Sequence, residues 1–495
     1  MHDPPRTSPS PSSSMELSSS TGEIAIKVLD TSGDATDEPT KDEYQLTNVP
    51  KRCSSIVDLP NELLVQIISH LYNKDLVNLA TTCHVLHDLA DRSLQEHRRL
   101  LLEWSFVSNV NQHYCYLASR VAQQLLDRRL TTYTHSLEIM LEEAPPQPQI
   151  LNAARDECVV QATHADLHKL WNSQFNLELD IADSWHTTVM AGNIDFVLTA
   201  WFTVLDSITH LGLHLNNRDC GRLLRALRSR SEGYLPSVGN LTVVRIEGSS
   251  PQAYELLEFY AQLPLIHHLA AGGTVIRGPQ FCSTDADSYV SNVKSFVLEG
   301  CSLSERHLVA LIRSMKTLEE FTYQEDPRND CDSFKVPKAA IINALRNTAR
   351  KTLRSLSVID MTMTWRCIPP LGSLADFDTL RDVTLEFDYI LDWLGIKPKS
   401  YFPTGLHEQL PRSLRTLLLT RIRQPIPRYP VSLVMDLLLR QKDCCCRPLE
   451  HFCELLIMYV EPGAVEELQT GSMLEWSERV GLAIHLQTED ELDVS

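Results

Sequence analysis

A chain of 495 residues exceeds the size of one ordinary hydrophobic core, so its length indicates several domains or an elongated repeat array. The formal net charge of -19 at pH 7 would repel a phosphate backbone, and we therefore predict no nucleic-acid partner. Thirteen scattered cysteines and an N-terminal sequence without the parts of a secretory signal favour a reducing compartment, the cytoplasm or the nucleus. The longest apolar run, 196–205, is far shorter than the roughly 20 residues of a membrane-spanning helix, so we expect no membrane association.

The first segment of the chain, residues 1–52, is rich in Ser, Thr and Pro and carries an excess of Asp and Glu over Lys and Arg. Such a composition offers too little apolar surface to offset the entropy lost on ordering. We predict a disordered acidic tail.

The next segment, DLPNELLVQIISHLYNKDLVNLATTCHVLHDLA at residues 58–90, has the spacing of three short helices. Pro60 suits the start of the first helix, Glu62 complements its positive end, and Asn73 suits the cap of the second. A unit of this size has too little interior to bury all of its apolar side chains. We expect part of this apolar surface either to contact a partner or to pack against residues 91–140 of the same chain.

This segment resembles an F-box, in the order and spacing of its Leu-Pro, Glu-Leu-Leu and Asp-Leu pairs and its later leucines. We predict the F-box over residues 53–100. The resemblance implies docking on the Skp-type adaptor of a cullin-RING ubiquitin ligase, with the rest of the chain selecting the protein client. Leu86 stands where many members have Trp. The adaptor-binding residues implied are Leu59, Pro60, Leu63, Leu64, Ile67, Leu71, Asp75, Leu76, Leu79, Cys83, Leu86 and Leu89.

Residues 101–205 are predicted to be a helical linker region, interrupted by a loop at APPQPQ, 144–149. The pattern apolar-x-x-apolar-x-apolar then recurs through residues 206–495, with amphipathic segments such as 304–315 between the runs. The runs begin at Ile208, Leu241, Val293, Leu318, Leu353, Leu380 and Leu414, with weaker members at Ile266 and Phe452.

This second half resembles a leucine-rich-repeat solenoid, with its clearest unit in VKSFVLEGCSL, 293–303. In such repeats the small polar position, here Cys301, satisfies backbone groups of the turn. Most other units lack a matching polar residue, which predicts an irregular solenoid. The fold class is therefore predicted as α+β: a three-helix F-box and a helical region followed by the α/β solenoid. An ordinary α/β domain with alternating strands and helices is the alternative.

Residues between the apolar positions of these strands should point outward and form a client-binding face that is mostly acidic. A client with a basic or donor-rich patch would suit it. The residues predicted for this face are Arg245, Glu247, Glu299, Glu320, Thr322, Asp382 and Glu386, with Ser355, Ser357 and Thr384 beside them.

No sequence motif indicates an enzyme, since phosphate-binding glycine loops, nucleophile elbows and HExxH pairs are absent. The cysteine-rich CCCRPLEHFC at 444–453 lacks the usual spacing of zinc ligands, and we predict neither a metal nor a cofactor. The function predicted is a non-catalytic substrate receptor of an SCF-type ubiquitin ligase. The alternative is a leucine-rich-repeat scaffold that acts without a cullin complex.

Overall fold

The repeated apolar pattern forms the strands of a long parallel sheet. The computed structural model describes residues 55–71, 73–110, 114–141, 198, 201–202, 205, 207–215, 236–248, 253–273, 289–325, 336–359, 371–386, 389, 409–420, 451–460 and 481–488. The predicted tail at 1–52, the predicted loop at 144–149 and Cys444 to Cys446 lie outside these residues. Residues 1–58 form one unit, of which a 3-10 turn at Ile56–Asp58 is described, and residues 59–495 form the other.

The second unit begins with helices, and the described residues that follow form strands with helices between some of them. The helices are α1 (Asn61–His70), α2 (Asn73–Ala80), α3 (His84–Trp104), α4 (Tyr114–Leu126), α5 (Pro236–Gly239), α6 (Ala253–Ala261), α7 (Glu305–Ser314) and α8 (Lys338–Ala349), with a 3-10 helix at Arg128–Tyr133. The strands are β1 (Phe106–Ser108), β2 (Ser136–Met140), β3 (His210–His214), β4 (Val243–Glu247), β5 (His268–Gly272), β6 (Ser295–Glu299), β7 (Glu320–Gln324), β8 (Ser355–Ile359), β9 (Asp382–Glu386), β10 (Thr416–Thr420), β11 (Glu454–Val460) and β12 (Ala483–Thr488).

Among the described residues the strands form one twelve-stranded sheet, in which every strand is parallel to its neighbours and the order follows the chain. A doubly wound α/β domain reverses its strand order at a switch point, and this sheet does not. The order is compatible with a solenoid. Each of the nine predicted runs supplies one strand, from β3 to β11, and the first apolar residue of each run is buried, as Leu353 illustrates.

The region 101–205, predicted as a helical linker, contributes the first two strands of this sheet as well as α4. The prediction was wrong for these strands because each has a polar residue in place of one apolar residue of the pattern. Thr134 is fully buried before β2, where its hydroxyl accepts a hydrogen bond from the Gln124 amide at 2.6 Å. Asn109 follows β1 and bonds the backbone of Met140 through both side-chain atoms.

One continuous hydrophobic core runs beneath the sheet from Leu100 and Trp104 to Leu482. Helix α7 packs there through the face predicted from its spacing, with Leu308, Leu311 and Ile312 fully buried. The core therefore supports the predicted alternation of strand and helix from β3 to β5 and from β6 to β8.

The turns at the two ends of the strands are stabilised differently. After β4, β5 and β6, Gly248, Gly273 and Gly300 have positive φ angles, which only glycine adopts without strain. Cys301 is buried and donates its Sγ–H to the Ala271 carbonyl at 3.3 Å, as predicted for this position.

A row of hydroxyl groups lies at the opposite end of the strands from β6 to β10. Each hydroxyl donates to the carbonyl of a buried residue that precedes the neighbouring strand. The distances are 3.5 Å for Thr317 to Val293, 2.8 Å for Thr352 to Leu318, 2.8 Å for Thr379 to Leu353 and 2.7 Å for Ser413 to Leu380. We call these four residues the hydroxyl row. It satisfies the same kind of backbone groups that Cys301 satisfies at the other end.

Candidate partner-docking surfaces

Helices α1, α2 and α3 form a small bundle with its own hydrophobic core. Helix α3 packs against both shorter helices, and the core consists of Ile68, Leu76, Ala80, Ala90 and Leu94. Helix α1 ends at His70 because Leu71 adopts an extended conformation. Pro60 lies one residue before the helix rather than inside it, and its carbonyl accepts the backbone N–H groups of Leu63 and Leu64.

Three of the residues predicted to bind the adaptor are buried. Leu64, Leu76 and Leu86 are 1%, 4% and 1% exposed, so these side chains are unavailable to a partner in this conformation. Residues on one helix share apolar character, and only tertiary packing decides which face turns inward. Leu71, Leu79 and Leu89 are half-buried against the same core.

The accessible members of the predicted set surround the start of α1. Pro60, Leu63 and Asp75 are exposed, and Leu59, Ile67 and Cys83 are half-buried. Pro60, Leu63 and Ile67 share one side of α1, since three or four residues separate neighbours on a helix face. We call Leu59, Pro60, Leu63 and Ile67 the α1 surface.

Other apolar side chains of the helical bundle are exposed although the sequence analysis did not select them. Val65, Val77, Val85 and Leu102 are 47%, 39%, 52% and 85% exposed. The sequence pattern could have revealed these residues, since each is an apolar residue that interrupts a polar face of its helix. Singly exposed apolar side chains are ordinary on a protein surface, and only a contiguous patch of them marks an interaction site.

A cleft of about 520 Å³ lies where α1, α3 and the 3-10 helix meet. His97 and Tyr133 line it, with the His97 Nδ1 and the Tyr133 hydroxyl 3.1 Å apart. Burial, and then the charge of Arg98, lowers the pKa of His97. Burial raises the pKa of Tyr133. Both groups are therefore uncharged near neutral pH, which suits a structural contact between the bundle and the sheet.

The outward face of the sheet carries the residues predicted to bind a client. Arg245 lies among the acidic ones, since its guanidinium bonds Glu247 and lies 3.9 Å from a Glu299 oxygen. His214 joins the same network, with Nδ1 2.7 Å from Glu247 and Nε2 3.2 Å from Glu138. Arg245 therefore offsets part of the acidic charge expected there.

Glu320, Thr322 and Asp382 lie on the outward face as predicted, with both carboxylates exposed. Glu386 does not, since it is 6% exposed. The alternation that predicts outward positions holds within a strand, but Glu386 is the last residue of β9 and is buried, as is Thr420, its partner in β10. We therefore remove Glu386 from the candidate surface.

No group of three metal-ligating side chains is assembled among the residues that the structure describes. From the cysteine-rich segment, His451 and Cys453 are described, and both are exposed. None of the described helices is long and apolar enough to cross a membrane.

The family model of F-box-like domains matches residues 56–102. This range contains α1, α2 and all but the last two residues of α3. It supports an F-box protein. No curated protein sequence matches the chain. The F-box-like domain suggests a role in binding the adaptor of SCF-type ubiquitin ligases.

Proposed function

We propose that the chain is a substrate receptor of an SCF-type ubiquitin ligase. Its F-box binds the Skp-type adaptor and, through it, the cullin and RING subunits. The sheet binds a protein client, as in receptors of the leucine-rich-repeat type. The observation that carries the proposal is an F-box-like domain whose helices α1, α2 and α3 belong to the same folded unit as a twelve-stranded sheet.

The area of the α1 surface limits how much it contributes to docking. Complete burial of an exposed Leu or Ile side chain stabilises by about 1.5 to 3 kcal/mol, and Leu59, Leu63 and Ile67 are already partly buried. The freedom lost on association costs about 4 to 15 kcal/mol, and the combined gain of these three side chains is smaller than the upper end of this range. Further contacts are needed, and Val77 and Val85 are accessible for them.

Adaptor binding is tested by two single substitutions on α1. Leu63 and Val65 are 46% and 47% exposed but lie on different sides of the helix. We expect Leu63→Ala to weaken co-purification with the Skp-type adaptor by about tenfold, since about 1.4 kcal/mol of buried contact is lost. Val65→Ala, the matched control, should leave it unchanged. Equal effects of the two substitutions would contradict the proposed surface.

A second variant tests the start of the F-box. Leu59→Ala/Pro60→Ala should also lose the adaptor, while Leu64→Ala should reduce stability because Leu64 is 1% exposed. Thermal unfolding distinguishes the two effects.

Failure of the unsubstituted chain to retain any adaptor would favour the alternative, a scaffold that acts without a cullin complex. The burial of Leu64, Leu76 and Leu86 keeps this alternative open because it reduces the apolar surface available.

The receptor role requires no catalytic group from this chain. A receptor holds a client lysine near a charged conjugating enzyme, and proximity alone accelerates such a transfer. The proposed client face comprises Arg245, Glu247, Glu299, Glu320, Thr322 and Asp382. We place the protein in the cytoplasm or nucleus, in agreement with free thiols at Cys83, Cys301 and Cys453.

A further inference from the structure

The outward face of the sheet carries two neighbouring leucines in its last strands. Leu418 of β10 and Leu456 of β11 are paired in register, and each points away from the core because the residues on either side of it are buried. Both leucines are half-buried, so part of each side chain is accessible. They form a small apolar surface across two adjacent strands.

Carboxylates lie on both sides of Leu418. Asp382 of β9 and Glu454 of β11 each come two residues before the residue that pairs with Leu418. They are therefore its diagonal neighbours, roughly 7 to 8 Å away between Cα atoms. The strands β9 and β11 are two spacings apart, roughly 10 Å, so a group bound beside Leu418 meets a carboxylate from either side. We call Asp382, Leu418, Glu454 and Leu456 the β10 surface.

Neither carboxylate of the β10 surface is held by a strong contact. Asp382 is exposed, and within the described part of the chain no basic side chain forms an ion pair with it. Glu454 lies 3.5 Å from Nε2 of His485 and accepts from the Thr416 hydroxyl at 3.5 Å. These two distances exceed the usual range of a hydrogen bond. Both carboxylates are therefore able to accept a stronger donor.

An apolar surface between two carboxylates fits a side chain with an apolar stem and a cationic end. Lysine and arginine both lay their methylene groups along apolar surface and keep the charge in contact with water. A guanidinium has five N–H donors in a rigid fork and can donate to two carboxylates at once, whereas an ammonium is a compact point charge. An uncharged apolar side chain would cover the leucines but would remove water from the carboxylates without replacing it. The β10 surface therefore favours arginine.

Positive charges beside the β10 surface disfavour a strongly basic segment. Arg381 precedes Asp382, Arg415 precedes Thr416, and both arginines are exposed. A second cation next to the bound one would meet the repulsion of these guanidinium groups. The occupant that fits is a single arginine among uncharged residues.

We propose that the β10 surface binds an arginine side chain of a protein client. The guanidinium donates hydrogen bonds to the carboxylates of Asp382 and Glu454, and its methylene groups lie on Leu418 and Leu456. The description of the arginine as part of a client rests on the proposed receptor function, but the arginine site itself does not. Asp382 belongs to the proposed client face, and the β10 surface extends that face to β11.

The test measures how variants of the full chain retain four pools of twelve-residue peptides. Each pool has degenerate uncharged flanks around a central arginine, lysine, citrulline or methionine. Citrulline keeps the shape of arginine without its charge. The readout is the fraction of each pool that the immobilised protein retains.

Three variants separate the charge of the site from its apolar contact. Asp382→Asn/Glu454→Gln removes both charges and keeps the shape of the side chains. The matched control, Asp376→Asn/Glu305→Gln, removes the same charges at exposed positions outside the strands. Leu418→Thr removes apolar contact and keeps both carboxylates.

We expect the unsubstituted chain and the control variant to retain the arginine pool at least about fivefold better than the citrulline and methionine pools. They should retain it at least about twofold better than the lysine pool. Asp382→Asn/Glu454→Gln should lose these preferences because they depend on the two carboxylates. Leu418→Thr should lower the retention of the arginine and citrulline pools by the same factor, roughly threefold, because the two side chains share the apolar stem.

Equal retention of the arginine and citrulline pools by the unsubstituted chain would overturn the proposal, as would an unchanged preference in Asp382→Asn/Glu454→Gln. Retention of the methionine pool equal to that of the arginine pool would overturn it in favour of an apolar anchor. Equal retention of the lysine and arginine pools would overturn it in favour of a site for any cation.

Two controls separate the possible causes of failure. If Leu418→Thr unfolds the chain, Leu456→Thr replaces it, with the same expected result. Adaptor co-purification is measured on the same samples and should be unchanged by every variant. Loss of the adaptor from the unsubstituted chain would reject the receptor function, whereas the peptide pools alone decide on the arginine site.

Discussion

At the scale of single residues, the buried histidine of α7 shows how a polar side chain is held in the core. His307 is 2% exposed, its Nδ1 lies 2.6 Å from the Ser304 hydroxyl, and its ring lies 4.3 Å from that of Tyr254. Ser304 also caps the helix by accepting the His307 N–H. Burial, and then the charge of Arg306, lowers the pKa of His307. The neutral ring is therefore the form that the folded chain accepts.

This lowered pKa predicts a loss of stability in acid. In the unfolded chain His307 binds a proton as the pH falls through about 6.5, whereas the folded chain binds it only at lower pH. The stabilisation is thus complete above pH 6.5 and is lost as the pH falls toward the folded pKa, by at most about 1.4 kcal/mol per pH unit. We expect His307→Asn to reduce the loss of unfolding free energy between pH 7.5 and 5.5. The control is His268→Asn at an exposed position of β5. An identical pH dependence of the unsubstituted chain and His307→Asn would contradict the assignment.

A buried charge pair marks the limit of sequence-based reasoning at this scale. Lys338 and Glu325 form an ion pair in which both side chains are 1% exposed, and the Lys338 ammonium lies 5.0 Å from the centre of the Tyr323 ring. Lys and Glu are almost never fully buried unless they are paired. The sequence contains no sign of this pairing, because it depends on where the chain between β7 and α8 brings the two residues together.

At the scale of secondary-structure elements, the regular strands were predictable and the irregular ones were not. The strands β3 to β11 keep the predicted register because buried apolar or aromatic side chains fill the positions of each predicted run. The strands β1, β2 and β12 were not predicted. In β12 the position that aligns with Phe452 is Gly481, which has a φ of 65°. A pattern of apolar residues cannot detect a strand in which glycine or a hydrogen-bonded polar side chain takes the place of one apolar residue.

The hydroxyl row gives a prediction at this scale. Thr352→Val keeps the shape of the side chain but removes the donor to the Leu318 carbonyl, so we expect the unfolding free energy to fall by about 1 to 3 kcal/mol. The matched control is Thr317→Val, in which a longer contact of 3.5 Å is lost and the cost should be smaller. Urea unfolding measures both. A larger cost for Thr317→Val would show that packing of the methyl groups, not the hydrogen bond, determines the effect.

At the scale of the whole molecule, the sheet is held together by pairing between strands that are neighbours in the chain. Each strand pairs only with the strands before and after it in the chain, and the core beneath them is one continuous layer. In such repeat-like architectures, stability is approximately a sum of local terms. Helix α3 joins the two cores, since Leu94 packs in the helical bundle and Trp104 beneath the sheet.

This local character predicts how far a core substitution acts. Leu356→Ala in β8 should cost about 2 to 5 kcal/mol and raise amide hydrogen exchange mainly in β7, β8 and β9. The matched variant is Leu137→Ala in β2, which should raise exchange in β1, β2 and β3 instead. Exchange that rises uniformly across all strands in both variants would indicate a single cooperative core and contradict the prediction.

The sequence by itself determined the parts of this protein that depend on local spacing. The three helices of the F-box, the nine strands from β3 to β11, the amphipathic face of α7 and the role of Cys301 all follow from the identity of residues a few positions apart. Tertiary structure alone decided which apolar side chains of the F-box turn inward, so that Leu64 is buried and Leu63 is exposed. It also decided the charge of the outward face, because residues from separate strands meet only after the sheet forms. Local spacing encodes the elements, whereas the surfaces offered to partners arise from the register between them.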